Sequence, residues 1–358
     1  MTAGLARVAD FANLLLAHRR CQRRKHLRPD VLRLSFDLEK ELLELREQLR
    51  DRSYRPGPYR TFTVHEPKTR TIHAAPYRDR VVHHALCQII EPLLERSLIF
   101  DTYACRRGKG THRALARCGW LCRRFAFAAR CDVEKYFPAV DHQILLEDLE
   151  RRIRDPGILW LCEAILAGGR IAAGPARWFP GDDLLTPLSR PRGLPIGNLT
   201  SQLFANAYLD PVDHFIKEKL RLPGYLRYLD DMLLFASSPA LLAEAVAAVE
   251  ERLYSLRLRL HRRQAVPQAT HTGVGFLGFR LFASARPRPG QPAREHHRLL
   301  KGASKRRTTK RLRRLEAAFA RGETTVEHVS ASIQATLAHF DHGDTGGLRR
   351  AILARFVL

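Results

Sequence analysis

Apolar residues recur every three or four positions through most of the first 50 residues. That spacing places them on one face of a helix, so the pattern predicts an N-terminal helical region over residues 1–50. A basic run from Arg19 to Arg28 interrupts the pattern, and a Pro-Gly-Pro sequence at 56–58 follows it. The apolar positions include Phe11, Leu14, Leu15, Leu38, Leu42, Leu45 and Leu49.

The periodicity changes after residue 58. Y-R-T-F-T-V-H-E-P and K-T-R-T-I-H predict a short extended pair, and F-A-F-A-A-R-C-D alternates like a strand that ends at Asp132. Two apolar runs flank the Asp pair of G-Y-L-R-Y-L-D-D-M-L-L-F-A and predict two short strands. Helices are predicted from Arg78, from near Asp141, over about 200–220 and over 239–255, with extended segments at 256–261 and 273–282. This order predicts an α+β fold with helices on one face of an antiparallel sheet.

The composition changes again near the C-terminus. Residues 285–294 are rich in Pro and Gly, which is typical of a linker. The tail beyond them is predicted to be helical, and eight of the positions between 301 and 314 are Lys or Arg. We therefore divide the chain into an N-terminal helical extension at 1–50, a central α+β domain at 51–283 and a basic helical domain at 284–358.

The charge of the chain points to a polyanionic partner. Lys and Arg number 61 against 37 Asp and Glu, a formal net charge of +24. Nucleic acid is the partner that such an excess favours. An acidic protein partner, or a genome that prefers Arg codons, would also produce basicity. The seven cysteines contain no C-x-x-C pair, no apolar run reaches about 18 residues, and no signal-peptide pattern is present, so a cytoplasmic protein without a membrane partner is expected.

Asp230 and Asp231 occupy a position where a hairpin turn ordinarily has Asn-Gly or Gly. Two adjacent carboxylates repel each other unless a cation neutralises them, and rigid oxygen ligands suit Mg²⁺. A third carboxylate would complete a site for two metal ions about 3.5–4 Å apart. Asp132, at the end of its own predicted strand, is the best candidate for that third ligand. Asp-Asp in a surface loop is nevertheless common.

R-Y-L-D-D-M-L-L-F and C-D-V-E-K-Y-F-P-A-V-D-H resemble two catalytic segments of reverse transcriptases. The resemblance extends over residues 55–282 and implies a right-hand polymerase with fingers, a palm and a helical thumb after about 284. It implies that Asp132, Asp230 and Asp231 bind two Mg²⁺ ions, with Mn²⁺ as a possible substitute, and that the backbone of Val133 faces the incoming triphosphate. Phe137 matches the aromatic gate that excludes a ribose 2′-hydroxyl, and an ordinary aromatic residue of the core is the alternative for this position.

The segment G-L-P-I-G-N-L-T-S-Q-L-F-A-N narrows the resemblance. Group II intron and retron enzymes usually have Gln-Gly followed by Ser-Pro, whereas Ile196 and Gln202 stand at the variable positions of this chain. That variant is similar to the reverse transcriptases of diversity-generating retroelements. These enzymes copy a template RNA into cDNA with errors at template adenines. Gly197 would let the backbone approach the template or primer, and Ile196 either loosens the nascent pair or simply packs.

Several accessory positions follow from the same resemblance. Lys68 and Arg70 match finger residues that contact the deoxynucleoside triphosphate, with Gln202 beside them. Gln264 stands where relatives often have a Lys that protonates pyrophosphate, so either His261, Arg262 or Arg263 replaces that acid or the acid matters little. Arg is a poor proton donor because it stays charged. The turn formed by Phe276, Leu277 and Gly278 resembles the one that grips the primer, and an apolar strand with Gly would look the same.

The basic tail resembles a thumb that contacts the phosphates of the template RNA and cDNA primer without reading their sequence. A small oligomeric accessory variability protein is a further expected partner in this family. Two other interpretations remain open. One is another prokaryotic reverse transcriptase, from a retron, a group II intron or a phage-defence system. The other is a catalytically inactive scaffold that binds nucleic acid.

Overall fold

The computed structural model describes residues 1–65, 69–169, 177–261, 265–283 and 297–355. The predictions that concern Lys68, Arg262, Arg263 and Gln264, and the segment at 285–294, lie outside these residues. No described helix is long and apolar enough to cross a membrane.

Four helices form the N-terminal region, as the periodicity predicts, and β1 and β2 then form an antiparallel hairpin. Thr2 and Asp10 cap the first two helices through their side-chain oxygens. Buried leucines of these helices join the same apolar cluster as the central helices, so the N-terminal region packs on the core. The elements are α1 (Ala3–Val8), α2 (Phe11–Cys21), α3 (Pro29–Phe36), α4 (Leu38–Arg50), β1 (Arg60–Val64) and β2 (Arg70–Ala74).

The central part is an α+β unit, as predicted. Its four-stranded antiparallel sheet has the order β4-β5-β3-β6. The elements are α5 (Tyr77–Glu95), α6 (Thr111–Arg124), β3 (Phe127–Asp132), α7 (Tyr136–Ala139), α8 (His142–Ile153), α9 (Pro156–Gly168), α10 (Thr186–Ser189), α11 (Leu199–His214), β4 (Gly224–Tyr228), β5 (Asp231–Ala236), α12 (Pro239–Ser255) and β6 (Gln268–Ala269).

Because side chains alternate along each strand, the two faces of this sheet contact different apolar clusters. Ala129, Cys131 and Met232 face the cluster that contains the central helices. Ala128 and Leu233 face a second cluster, which α6 and a smaller sheet complete. Segment 256–261, predicted to be extended, forms only an isolated bridge between Leu260 and Val133.

The C-terminal part begins with a strand, which sequence analysis did not predict. β9 (His297–Leu300) pairs with β8 (Phe279–Phe282), which pairs with β7 (Val274–Phe276), and this sheet ties the basic tail to the core. The basic segment that contains β9 can form a strand because its partner β8 provides the apolar side chains that face the core. Three helices follow with their own small apolar cluster: α13 (Gly302–Ala320), α14 (Val326–Phe340) and α15 (Gly346–Arg355).

A buried ion pair fixes the β4–β5 hairpin to α11. Arg227 on β4 and Asp213 on α11 are both 0% exposed, and their closest contact is 2.6 Å. Asp213 also accepts hydrogen bonds from the hydroxyls of Tyr225, at 2.6 Å, and Thr102, at 3.0 Å. Arg227 donates in addition to the carbonyl oxygen of Leu229 at 3.2 Å. The residue before Asp230 is therefore held by a buried charge.

We expect Asp213→Ala to lower the free energy of unfolding by about 3–5 kcal/mol, because it leaves the Arg227 guanidinium buried without its counter-charge. Chemical denaturation of the full chain measures this change. Glu323→Ala is the matched control, since Glu323 forms an exposed ion pair with Arg321, and its loss should change the free energy of unfolding far less. Equal losses for the two variants would contradict the role given to the buried pair.

Candidate active site

The Asp pair lies at the tip of a tight hairpin. Tyr228 pairs with Asp231, which leaves Leu229 and Asp230 as the two turn residues. Leu229 has a φ of 54°, a left-handed conformation that costs a non-glycine residue about 1–2 kcal/mol. The turn is thus strained, and its hydrogen bond from Arg227 is one interaction that holds it.

Asp132 lies directly beside this tip. In the register of β3 and β5, Asp132 is the partner of Asp231, and directly paired Cα atoms in antiparallel strands are about 4.5–5.5 Å apart. Paired residues project from the same face of a sheet. The structure therefore brings together the three carboxylates that the sequence singles out, from two neighbouring strands and one turn.

Arg130 neutralises one of these carboxylates. Its Nε lies 2.7 Å from Oδ1 of Asp231, and a second guanidinium nitrogen donates to Oδ2 at 3.1 Å. Burial nevertheless raises the pKa of Asp231 to about 6, and the charges of Asp132 and Asp230 act in the same direction against the opposing effect of Arg130. Burial also raises the pKa of Asp230, which Arg70 and Arg130 oppose. Burial and the mutual repulsion of the carboxylates thus outweigh the effect of these cations on the pKa of Asp230 and of Asp231.

The donor chemistry fits a divalent cation, because such an ion would relieve the mutual repulsion of carboxylates that are already neighbours. Within the described ranges, however, no three His, Cys, Asp or Glu side chains are arranged to hold a metal ion. The bidentate contact with Arg130 engages both oxygens of Asp231. Metal binding at all three carboxylates would therefore require Asp231 to exchange its partner.

The segment after Asp132 is joined to the chain that follows α12. Val133 is buried and forms a bridge with Leu260, and the amide of His261 donates to the carbonyl oxygen of Asp132 at 2.9 Å. His261 also has its Nδ1 3.7 Å from a carboxylate oxygen of Glu134. Of the three candidates for the acid that protonates pyrophosphate, His261 is the one within the described residues, and it lies next to a predicted metal ligand.

Phe137 follows a turn in which Lys135 has a φ of 47°. Its carbonyl oxygen accepts a hydrogen bond from the amide of Leu194 at 2.7 Å, so the predicted gate is fixed to the segment that leads to Ile196. The ring is half-buried and packs on the main apolar cluster. This placement is compatible with both roles considered for the residue.

Ile196 and Gly197 lie against the β1–β2 hairpin. The carbonyl oxygen of Ile196 accepts from the amide of His73 at 3.2 Å, and the side-chain amide of Asn198 donates to the carbonyl oxygen of His73 at 3.3 Å. Gly197 has a φ of 116°, and a Cβ there would lie 3.1 Å from Ile72. The close approach of the backbone at Gly197 to the β1–β2 hairpin therefore explains the glycine at this position.

Gln202 lies on the first turn of α11, and its side-chain oxygen is 3.3 Å from Sγ of Cys105.

Arg70 begins β2, is exposed, and is close enough to lower the pKa of Asp230. The β1–β2 hairpin thus brings a cation near the carboxylates, and the contact of Arg70 with a triphosphate stays a prediction.

Phe276, Leu277 and Gly278 form the β7–β8 turn. Phe276 pairs with Phe279, and Leu277 and Gly278 both have positive φ, 42° and 89°, which is the geometry of a type I′ hairpin. The carbonyl oxygen of Gly278 accepts from the amide of Lys301 at 3.0 Å. The turn therefore contacts the start of α13.

Sequence analysis missed two cations at this site, Arg130 and Lys301. Arg130 precedes Asp132 by two residues in an alternating strand, so its position on the same face as Asp132 could have been deduced. Lys301 gives no such signal, because the sequence presents it as one of many basic residues in the tail.

The chain is similar to several known proteins. The family model described as "Reverse transcriptase (RNA-dependent DNA polymerase)" matches residues 64–281. Protein YkfC of Escherichia coli (strain K12) is 26% identical over 292 residues, which cover 70% of this chain and 73% of that protein. The putative COX1/OXI3 intron 1 protein of Saccharomyces cerevisiae is 21% identical over 226 residues, 63% of this chain and 25% of that protein.

One solved structure that is similar to this chain is that of telomerase from Candida albicans in complex with a TWJ fragment of telomeric RNA. It has 10% sequence identity and a TM-score of 0.46, covering 64% of this chain and 46% of that one. The chain thus spans a quarter of the intron 1 protein and less than half of the telomerase chain.

We expect Arg130→Gln to raise the pKa of Asp231 above its value of about 6, because the variant removes the cation that favours the charged carboxylate. In the metal-free wild type, the raised pKa means that Asp231 reduces stability progressively as the pH rises from about 4 to about 6. Carbon-13 NMR titration of labelled aspartate measures the pKa, with Asp231→Asn assigning the signal. Arg321→Gln, at a fully exposed position, should leave the titration unchanged; an unchanged or lower value in Arg130→Gln would refute the argument.

Proposed function

The chain belongs to the reverse transcriptase family of RNA-directed DNA polymerases, and from that premise we propose that it copies the template RNA of a diversity-generating retroelement into error-prone cDNA. The pairing of Asp132 with Asp231 beside the turn that bears Asp230 carries the catalytic part of this proposal. In a right-hand arrangement, residues 51–283 would form fingers and palm, residues 284–358 the thumb, and residues 1–50 an added helical layer.

Asp132, Asp230 and Asp231 are the residues that would hold two Mg²⁺ ions, with Mn²⁺ as a substitute. When bound, such a pair activates the attacking 3′-hydroxyl and stabilises the leaving oxygen. Arg70, on the fingers side, places positive charge where the triphosphate develops negative charge. Lys68 is assigned the same role from the resemblance alone. The backbone of Val133 and the side chain of Gln202 would complete the nucleotide site.

The selection of deoxynucleotides is assigned to Phe137, whose ring would exclude a 2′-hydroxyl. Its backbone bond to Leu194 supports this role, because it couples the gate to the loop that bears Ile196. Ile196 cannot donate a hydrogen bond, so a nascent base pair against it would be held less firmly than against Gln. Gly197 would set the distance of that backbone from the template.

The basic α13 and the turn at Phe276, Leu277 and Gly278 would hold the template RNA and cDNA primer. Phosphate contacts of this kind release counterions, so binding should weaken steeply with salt. A small oligomeric accessory variability protein is proposed as a further partner. The similarity to an intron protein favours a second candidate, an intron-derived reverse transcriptase. A neighbouring pair of near-identical DNA repeats that differ mainly at adenines would favour the retroelement.

We expect purified wild type to extend a DNA primer on an RNA template with Mg²⁺, and Asp230→Ala with Asp231→Ala to reduce the rate at least about 10³-fold, because the metal ligands are lost. Gel analysis of extension products measures the rate. Asp183→Ala is the matched control, since Asp183 is an exposed member of another Asp pair and only caps the turn before α10. Absence of extension by the wild type would favour an inactive scaffold.

For fidelity, cDNA made on the cognate RNA should carry substitutions opposite adenine far more often than opposite the other bases. Ile196→Gln should reduce the adenine errors severalfold, because Gln can hydrogen-bond where Ile cannot. Deep sequencing of the cDNA measures both. Leu199→Gln, at the exposed first residue of α11 three positions along the chain, controls for added polarity. Equal error at all four bases would remove the retroelement assignment and leave the polymerase.

A further inference from the structure

A cavity of about 740 Å³ lies beside the carboxylates, between the four-stranded sheet and the β7–β8–β9 sheet. Three cationic side chains line it: Arg130 from β3, Arg280 from β8 and Lys301 from the residue before α13. The remaining lining includes Gln268 and backbone at Gly273 and Gly275. No carboxylate belongs to the lining given by the described residues.

Two glycines make room for two of these cations. A Cβ at Gly275 would lie 2.7 Å from Nζ of Lys301, and a Cβ at Gly273 would lie 2.8 Å from Nε of Arg280. Any side chain at either position would displace the cation that rests on it. Gly275 is therefore accounted for by the seating of Lys301, whereas Gly273 also has a φ of 96° and a Cβ there would lie 2.6 Å from the Phe282 ring.

The charge in the cavity lacks a matching anion. Arg130 has Asp231 as its partner, but within the described ranges neither Arg280 nor Lys301 forms an ion pair with a carboxylate. Burial and the neighbouring Arg130 lower the pKa of Lys301, and Asp231 only partly offsets them. Three cations that converge on one cavity favour an anion with several acceptor oxygens.

Cations approach the carboxylates from two sides. Arg70 of the fingers hairpin acts on Asp230, whereas Arg130 and Lys301 act on Asp231. If the triphosphate binds on the side of Arg70, the cavity on the other side is free to bind the second substrate, which is the primer strand that is extended. The position of Lys301 at the start of the basic α13 continues the cavity into a surface suited to a phosphate backbone.

Resting on the proposed polymerase function, we propose that this cavity binds one backbone phosphate of the primer strand through Arg280 and Lys301, and that Arg130 transfers from Asp231 to this phosphate as the metal ligands assemble. The transfer couples the two sites. Phosphate in the cavity frees Asp231 for a cation, and a cation at Asp231 frees Arg130 for the phosphate. By linkage, each must tighten the binding of the other.

A neutral-phosphate scan tests the cavity. Primer–template duplexes carry a single methylphosphonate at successive positions from the primer 3′ end, and affinity is measured by fluorescence anisotropy in EDTA. One position near the 3′ end should weaken wild-type binding about tenfold, the loss of a charge-assisted hydrogen bond. Lys301→Gln and, as a second variant, Arg280→Gln should bind more weakly and lose the penalty at that position.

Lys305→Gln is the matched control, because it removes the same charge from an exposed position one turn along α13. It should keep the penalty at the sensitive position. A scan without any sensitive position, or one whose penalty survives in both cavity variants, would overturn the proposal. Inorganic pyrophosphate gives a second arm: metal-free binding of pyrophosphate that Lys301→Gln abolishes, with a flat scan, would assign the cavity to the product and reject the primer phosphate.

The coupling is measured by Mn²⁺ titration followed by electron paramagnetic resonance. Duplex should tighten Mn²⁺ binding severalfold in wild type and leave it unchanged in Arg130→Gln. Equal tightening in both proteins would refute the transfer of Arg130. These are binding measurements, so a wild type that fails to extend primers would remove the polymerase proposal while the scan still reports on the cavity.

Discussion

The ion pair between Arg227 and Asp213 is the constraint on which the active-site geometry depends. Removing a guanidinium and a carboxylate completely from water has a large desolvation cost. That cost is offset only when nearly every hydrogen-bond donor and acceptor of the two groups has a partner. Tyr225, Thr102 and Asn206 supply those partners. Because Arg227 also bonds the carbonyl oxygen of Leu229, the network that anchors α11 to the sheet sets the strained turn before Asp230. The position of the proposed metal ligands thus follows from a buried interaction behind them.

The catalytic face of the same sheet is electrostatically unbalanced, in contrast to this satisfied network. Three carboxylates face one another, and burial raises the pKa of two of them. Arg130 offsets part of the repulsion by binding Asp231 from the same strand that carries Asp132. A carboxylate cluster can persist in the metal-free fold because this internal cation substitutes for part of the missing charge. It also means that any ion which needs Asp231 must compete with Arg130.

Local patterns made much of this arrangement predictable. Period-two alternation before Asp132 and the two apolar runs that flank Asp230 and Asp231 predicted the three strands, and the antiparallel register of β3 with β5 then brings the carboxylates together. The buried role of Arg227 was not predictable, because an Arg in a short strand ordinarily faces solvent and its partner is 14 residues away on a helix. Strand β9 was missed for a related reason: its basic neighbours resemble the helical tail, and only pairing with β8 makes it a strand.

The cations near the carboxylates come from different parts of the fold. Arg70 reaches the carboxylates from the β1–β2 hairpin, and Lys301 and Arg280 from the β7–β8–β9 sheet, with Arg130 between them. A polymerase must hold two phosphate-bearing substrates at one metal centre without exchanging them, and cations from two different sheets would keep the two apart. Among Arg70, Arg130, Arg280 and Lys301, Arg130 is the one with an ion pair to a carboxylate in the described residues, so under the proposal it is the residue through which occupancy of the cavity would act on Asp231. The sheet that brings Asp132 to Asp231 would then also order the substrates around them.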